Sequence, residues 1–173
     1  MESKPVSASK TEMNELVMPN DTNALGNLMG GNLMRWMDIA SAICASRHCE
    51  SYVVTVSVDH ITFHEPIKLG DLVTIKAQVT RVFHTSIEIF IEVFTKGILQ
   101  HNARKSNQAF FTFVALDERT MKPKQIAPVV PESEEEQKLF DEAAVRREFR
   151  LVVSGKIKPS DAKVSQDFLQ TKS

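Results

Sequence analysis

The segment Asn32–His48 constrains the fold more than any other part of this chain. Its apolar residues cover most of a helical circumference instead of a single stripe: they are Leu33, Met34, Trp36, Met37, Ile39, Ala40, Ala42, Ile43, Cys44 and Ala45. The polar exceptions recur every third residue along one narrow line, at Asn32, Arg35, Asp38 and Ser41. A helix of this kind must be enclosed by other structure. The segment therefore predicts a central helix, and a chain of 173 residues has room for one domain around it.

The sequence around this helix is of strand type. Runs rich in Val, Ile, Thr and Phe, separated by turn signals, predict strands at Met13–Met18, Tyr52–Val58, Ile61–His64, Leu72–Phe83, Ser86–Thr95 and Ser106–Leu116. No helical pattern lies between the later runs, which argues against parallel crossovers and favours antiparallel pairing. The run from Gln108 to Leu116 is apolar on both faces. We therefore expect an α+β fold that buries its surplus apolar surface against copies of itself.

Changes in composition predict four segments. Residues 1–11 are polar and rich in Ser and Lys, so we expect a flexible arm, followed by the main domain at 12–131. Residues 132–152 have the pattern of a separate, peripheral helix with a capping box formed by Ser133 and Glu136. Residues 153–173 show no sustained period and are expected to form a tail.

The charge balance and the cysteines limit the partners and the compartment. The 21 Lys and Arg residues against 22 Asp and Glu give a net charge of −1, so nucleic acid and anionic membranes are not expected partners. The N-terminus has no apolar core of an export signal, and two cysteines suit a reducing, cytoplasmic setting. Asp59, His60, His64 and Glu65 lie close in sequence, but neighbours on a strand point to opposite faces, so no metal site is expected.

Three positions carry candidate chemistry, each with an ordinary alternative. Asp38 on an enclosed helix loses hydration and becomes a stronger base, or it forms an ion pair with Arg35. The backbone N–H groups of Gly30–Gly31 at the helix start could bind an oxyanion, although a tight turn or close packing also explains two glycines. The Asn23 amide could hold a water or a carbonyl, but Asn is also a common turn former. The residues alone leave these alternatives open.

The order of several motifs resembles that of a known family. They are P-N-D-T-N-A-L-G-N-L-M-G-G-N-L-M-R-W-M-D at Pro19–Asp38, V-V-T-V-S-V-D at Val53–Asp59, Phe63 with Pro66, the Gly70–Asp71 turn, V-T-R-V-F-H-T-S at Val79–Ser86 and F-T-F-V-A-L-D at Phe111–Asp117. From Leu16 to about Pro131 the chain resembles the acyl-CoA hydrolase branch of the hotdog-fold thioesterases. The resemblance implies a hotdog fold, in which a curved antiparallel sheet wraps a long central helix.

The resemblance also implies an assembly and an activity. Subunits pair edge to edge as dimers, further assembled as a trimer of dimers, with active sites at the dimer interface. The expected reaction is hydrolysis of acyl-CoA without metal or organic cofactor. Asp38 matches the catalytic carboxylate, Asn23 the catalytic amide expected to meet it across the dimer, and Gly30 and Gly31 the glycines whose N–H polarises the thioester carbonyl. Met29 stands where relatives often have an aromatic residue or His.

Several alternatives stay open beside this one. Asp38 could activate a water, or attack the thioester directly to give a mixed anhydride. A non-catalytic acyl-CoA-binding hotdog module is a second class of function. A hotdog hydratase or dehydratase acting on acyl thioesters is a third, but it usually needs a catalytic His, and none lies three or four residues after Asp38.

Coenzyme A carries phosphates, so a nearly neutral chain must bind it through local positive charge. Arg81 is expected to continue the apolar face of Val73–Val79, where an Arg is out of pattern, and it precedes the Thr85–Ser86 turn. We expect these three residues to contact CoA. A second CoA-binding cluster is expected if the terminal helix folds across the site, although favourable positive charge at a helix C-terminus also explains these residues: they are Arg146, Arg147 and Arg150.

Overall fold

A computed structural model describes residues 1–59, 61 and 65–171. It contains two compact units, Met1–Val130 and Pro131–Ser173. The first unit holds strand β1 (Lys4–Pro5), strand β2 (Thr11–Leu16), helix α1 (Gly30–Cys49), strands β3 (Tyr52–Asp59), β4 (Asp71–Phe83), β5 (Ser86–Gly97), β6 (Arg104–Leu116) and β7 (Val129–Val130). The second holds helices α2 (Glu134–Val153) and α3 (Lys163–Thr171).

The main sheet has five antiparallel strands in the order β2-β4-β5-β6-β3. Helix α1 packs against one of its faces, as the hotdog fold requires. Alternate residues of β4, β5 and β6 are fully buried there, and each such Ile or Phe contributes about 1.5–3 kcal/mol by leaving water; they include Ile75, Ile89, Ile91, Phe111 and Phe113. The predicted α+β class and central helix are confirmed. The predicted strand Ile61–His64 falls outside the described residues apart from Ile61, which has no regular structure.

The N-terminal residues are ordered where a flexible arm was expected. β1 pairs in parallel with β7, and Val6 is buried. The Lys4 Nζ donates to the His48 carbonyl at 2.8 Å and to a Glu50 carboxylate oxygen at 2.7 Å. A strand of two residues leaves almost no periodic signal, because pairing with residues far along the chain decides whether it forms.

The second unit likewise contains more regular structure than expected. Ser133 caps α2 by accepting from the Glu136 N–H at 3.2 Å, which confirms half of the capping box. The Glu136 carboxylate accepts from the N–H of Glu132 at 2.7 Å, one residue earlier than a capping box requires. The expected tail includes α3, whose first N–H groups are bound by the Glu148 carboxylate, at 3.2 Å for Val164 and 2.7 Å for Ser165.

Within the described segments 1–59, 61 and 65–171, no helix is both long enough and apolar enough to cross a membrane.

His48 makes the stability of the first unit depend on pH. Its ring is buried, and Nε2 donates to the Ala127 carbonyl at 3.0 Å. Burial, helped by the nearby Lys4 charge, outweighs the Ala127 hydrogen bond and the Glu50 charge and lowers the pKa of His48 below its ordinary value. The unfolded chain then binds a proton that the folded chain does not, so stability is lost as the pH falls through about 6.5.

We therefore expect the denaturant midpoint of the wild type to fall between pH 7.5 and pH 5.5. In His48→Gln, whose amide can still donate to Ala127, this fall is smaller. The hydrogen bond from Lys4 and its charge lower the pKa of Glu50 below its ordinary value, and every group other than residue 48 is the same in the two proteins, so the difference between them isolates His48. Equal pH dependence in both proteins would contradict the assignment.

Candidate active site

Asp38 lies half-buried on α1. Its Oδ1 accepts a hydrogen bond of 2.7 Å from the Thr55 hydroxyl, which β3 presents toward the helix. Within the described residues no ion pair joins Asp38 to Arg35, so the structure does not favour the ion-pair alternative. Thr55 was missed at the sequence level, because strand alternation does not say which β3 residue faces which turn of a helix.

Asn23 organises the loop before the helix. Its side-chain Oδ1 accepts from the N–H of Leu25 at 2.9 Å and from the N–H of Asn27 at 3.2 Å. Two donors on one oxygen fix which end of the amide is oxygen and which is nitrogen. Asn23 is therefore a turn former through its oxygen, and its Nδ2 hydrogens are not needed for the turn.

The glycine pair begins α1. The preceding residue, Met29, offers no side-chain cap to the first helical turn. A Cβ added to Gly31 would meet no described atom within 4 Å, and the backbone there does not require glycine. Close packing within the chain therefore does not explain Gly31, and the first-turn N–H groups lie at the positive end of the helix dipole.

The loop and the helix start line one cavity of about 360 Å³. Its described lining residues are the loop residues, the first turns of α1 and the segment before β4: Asn23, Asn27, Leu28, Gly30, Leu33, Glu65, Pro66 and Ile67. Asp38 is not among these residues. It lies eight residues after Gly30, which is about 12 Å along a helix axis. One chain thus brings Asn23 and Gly30 together and leaves Asp38 apart from them.

The β3 edge carries exposed apolar side chains. β3 forms one edge of the sheet, and its exposed large hydrophobic residues are Tyr52, Val54, Val56 and Val58. On α1, Met34 and Ile43 are also partly exposed, at 39% and 38%. An uncovered apolar edge strand is a typical place for pairing with another chain.

The structure corrects the expected position of Arg81. The register between β4 and β5 shifts after Val79, so that Val79 pairs with Ile89 but Arg81 pairs with Glu88. This bulge turns Arg81 to the face opposite the apolar residues of β4, and its guanidinium lies 5.6 Å from the centre of the Phe83 ring. The sequence pattern missed this, because an extra residue in a strand reverses the alternation after it.

The other expected CoA contacts lie at two further places. Thr85 lies in the β4–β5 turn and Ser86 begins β5, and the Thr85 carbonyl accepts from the Ala115 N–H at 3.1 Å. In the second unit, Arg146 donates to the Leu139 carbonyl at 2.9 Å. CoA binding by Arg81, by this turn and by the α2 residues Arg146, Arg147 and Arg150 stays a prediction.

Neither cysteine is suited to nucleophilic attack. Burial raises the pKa of the Cys44 thiol to about 12 and that of Cys49 to about 11, so little thiolate exists near neutral pH. In the group Asp59, His60, His64 and Glu65, where no metal site is expected, His60 and His64 lie outside the described residues. Among the residues that are described, no three His, Cys, Asp or Glu side chains cluster as metal ligands would.

Known proteins are similar to this chain in sequence and in fold. Residues 25–100 match the family model of the thioesterase superfamily. The uncharacterized acyl-CoA thioester hydrolase YkhA of Bacillus subtilis is 38% identical over 138 residues, which are 80% of each protein. The crystal structure of an apo-hexameric acyl-CoA thioesterase has a TM-score of 0.84 at 35% identity, covering 89% of this chain and 98% of that chain.

A second solved neighbour has bound ligands. The acyl-CoA hydrolase of Staphylococcus aureus, in complex with butyryl coenzyme A, coenzyme A and coenzyme A disulfide, has a TM-score of 0.81 at 33% identity and covers 97% of this chain and 99% of its own. Other structures of that protein carry single alanine substitutions of an Asp, a Thr and an Asn.

Some relatives are much longer than this chain. It spans 38% of the cytosolic acyl coenzyme A thioester hydrolase of mouse and 25% of mouse acyl-coenzyme A thioesterase 11, each 36% identical where they match. The bacterial relative, in contrast, matches over 80% of its length, and the match to the solved hexameric neighbour covers 98% of that chain. On this evidence of sequence and fold, the chain belongs to the acyl-CoA hydrolase family of the hotdog thioesterases.

Proposed function

We propose that this protein hydrolyses acyl-CoA to a free acid and coenzyme A, with Asp38 as general base. The observation that carries this proposal is the Asp38 carboxylate, half-buried on α1 and held by the Thr55 hydroxyl at 2.7 Å. The Thr55 hydroxyl occupies Oδ1, which leaves Oδ2 to take a proton from an attacking water. The thiolate of coenzyme A is a good leaving group, so the reaction needs no metal or organic cofactor.

The solved Staphylococcus aureus variants support these roles. The Asn, Asp and Thr substituted in that protein occur in the same order and with the same spacing as Asn23, Asp38 and Thr55. Its complex with butyryl coenzyme A and coenzyme A supports acyl-CoA as the ligand of this chain.

A second copy of the chain would complete the site. A water must attack within about 3–3.5 Å of the thioester carbon, but Asp38 lies about 12 Å along the helix from the glycine pair of its own chain. Pairing of two β3 edges would cover the exposed Val54, Val56 and Tyr52 and let Asp38 of one subunit serve the cavity of the other. Hexameric neighbours support further assembly into a trimer of dimers.

The cavity at the helix start would bind the thioester carbonyl. The Asn23 oxygen is used by the loop, so the amide acts through its Nδ2 hydrogens as a donor. Together with the first-turn N–H of Gly30 or Gly31, it would stabilise negative charge on the carbonyl oxygen. We place the protein in the cytoplasm, as for the cytosolic mouse relative.

Release of free thiol from a panel of acyl-CoA lengths tests this function. Hydrolysis releases one thiol for each acid formed. Binding of acyl-CoA with no thiol release would instead indicate a binding module. Conversion of an enoyl-CoA without thiol release would indicate a hydratase.

Gly31→Ala tests the role of the helix start. The added methyl meets no described atom within 4 Å, and Ala favours helix over Gly by up to about 1 kcal/mol, so the fold should be retained. The same methyl would crowd the approach of a carbonyl oxygen to the first-turn N–H groups. We expect kcat/KM to fall about tenfold or more with an unfolding midpoint equal to or above the wild type. Wild-type kcat/KM in the folded variant would contradict oxyanion binding at this turn.

A further inference from the structure

One wall of the cavity is a segment of irregular backbone before β4. Glu65, Pro66 and Ile67 line the cavity together with the loop and the helix start. The Ile67 carbonyl accepts from the Leu28 N–H at 2.7 Å. Any shift of this segment therefore moves Leu28, which lies two residues before Gly30. The position of this wall affects the geometry around the thioester.

The later part of the segment is held by backbone contacts. The Leu69 N–H donates to the Gly26 carbonyl at 3.0 Å, and the Lys68 N–H donates to the Asp71 carboxylate at 3.0 Å. These hydrogen bonds fix residues 67–69 to the loop and to the start of β4. Glu65 and Pro66 lie before the residues that are held in this way.

The Arg104 side chain contacts both Glu65 and Pro66. Its guanidinium forms an ion pair with the Glu65 carboxylate and donates to the Pro66 carbonyl at 3.3 Å. Arg104 is the first residue of β6, where it pairs with Thr95 of β5, so the base of the side chain is fixed by the sheet. A planar guanidinium can bind two acceptors at once, which an ammonium does less well.

We propose that Arg104 is a positioning residue for the acyl-CoA site, which holds the Glu65–Pro66 wall in the shape that receives the substrate. This inference rests on the proposed hydrolase function. The ion pair is solvent-exposed, with 46% and 60% of the two side chains accessible. Such pairs contribute little to global stability. The contribution of Arg104 is therefore to the local wall and not to the fold.

Arg104 could instead bind a phosphate of coenzyme A directly. That role requires a guanidinium available to an anion, whereas this one already faces a carboxylate and a carbonyl. The two roles differ on a truncated acyl-pantetheine substrate, which has no phosphate. A wall residue matters for both substrates, and a phosphate ligand matters only for CoA.

The test compares Arg104→Ala with Lys105→Ala on acyl-CoA and on acyl-pantetheine. Lys105 is the matched control, because it is the next residue, has 44% of its side chain accessible and pairs with Glu92 at 2.8 Å. We expect Arg104→Ala to raise KM by up to about fivefold for both substrates, with kcat changed less and the unfolding midpoint unchanged. Arg104→Lys should recover part of this loss, and Lys105→Ala should match the wild type.

Three outcomes would overturn the inference. They are equal kinetics of the two alanine variants, a KM penalty that disappears on acyl-pantetheine, and a loss of activity explained by a lower unfolding midpoint. Failure of the proposed function gives a different result, because the wild type itself would then release no thiol from any acyl-CoA.

Discussion

Asp38→Asn is expected to lower acyl-CoA turnover by about 10²-fold or more while the protein stays folded and keeps its oligomeric state. The substitution preserves the shape of the side chain, and the amide oxygen can still accept the 2.7 Å hydrogen bond from Thr55. It removes the lone pair and the charge that would take a proton from water. Steady-state thiol release, with the unfolding midpoint and light scattering of the same sample, measures the effect.

Arg35→Ala is the matched control for this substitution. Arg35 lies on the same helix one turn before Asp38, is exposed, and makes no ion pair with Asp38 among the described residues. Its loss should leave turnover within about twofold of the wild type. Near-normal turnover by folded Asp38→Asn would remove Asp38 from the chemistry.

The second large effect is recovery of activity when two inactive variants are mixed. Asn23→Asp keeps an oxygen for the Leu25 and Asn27 N–H groups, so the loop should persist, but it replaces the Nδ2 donor by a negative oxygen. Alone, Asn23→Asp and Asp38→Asn should each be nearly inactive. In a mixed dimer, one site combines Asn23 of the Asp38→Asn subunit with Asp38 of the Asn23→Asp subunit. Both residues of that site are unchanged, so that site is intact.

Random mixing of equal amounts by co-expression makes half of the dimers mixed, each with one working site of two. The expected activity is about a quarter of the wild type per mass of protein. Separately purified variants, combined without exchange of subunits, provide the control and should stay inactive. Absence of recovery in co-expressed, tandem-tagged oligomers would show that each chain builds its own site.

Much of the fold was predictable because strong periodicity in sequence reflects burial. The helix at Asn32–His48 corresponds to α1, and five of the six predicted strands correspond to β2, β3, β4, β5 and β6 with ends shifted by a few residues. Short elements such as β1 and β7 were not predicted, because their hydrogen bonds depend on residues far along the chain. The α3 helix was missed for the same reason, since Glu148 of α2 caps its first turn.

The site was only partly predictable. The order of the motifs made Asp38, Asn23 and the glycine pair candidates through the resemblance to the hotdog thioesterases, and their roles stay a prediction. Thr55 and Arg104 carry no comparable signal. A Thr in a strand and an Arg at a strand start are common, and their partners lie 17 and 38 or more residues away.

By itself, the sequence determined the elements that local pattern controls: a helix too apolar to face water, strands of alternating polarity, and a turn-rich loop that ends at a helix start. Tertiary structure alone decided the facts that depend on register and distance. The bulge after Val79 turned Arg81 to the other face, and the β3 register brought Thr55 to Asp38. The physical reason is that side-chain direction reverses with every residue of a strand, so one extra residue, invisible in composition or period, decides which groups meet.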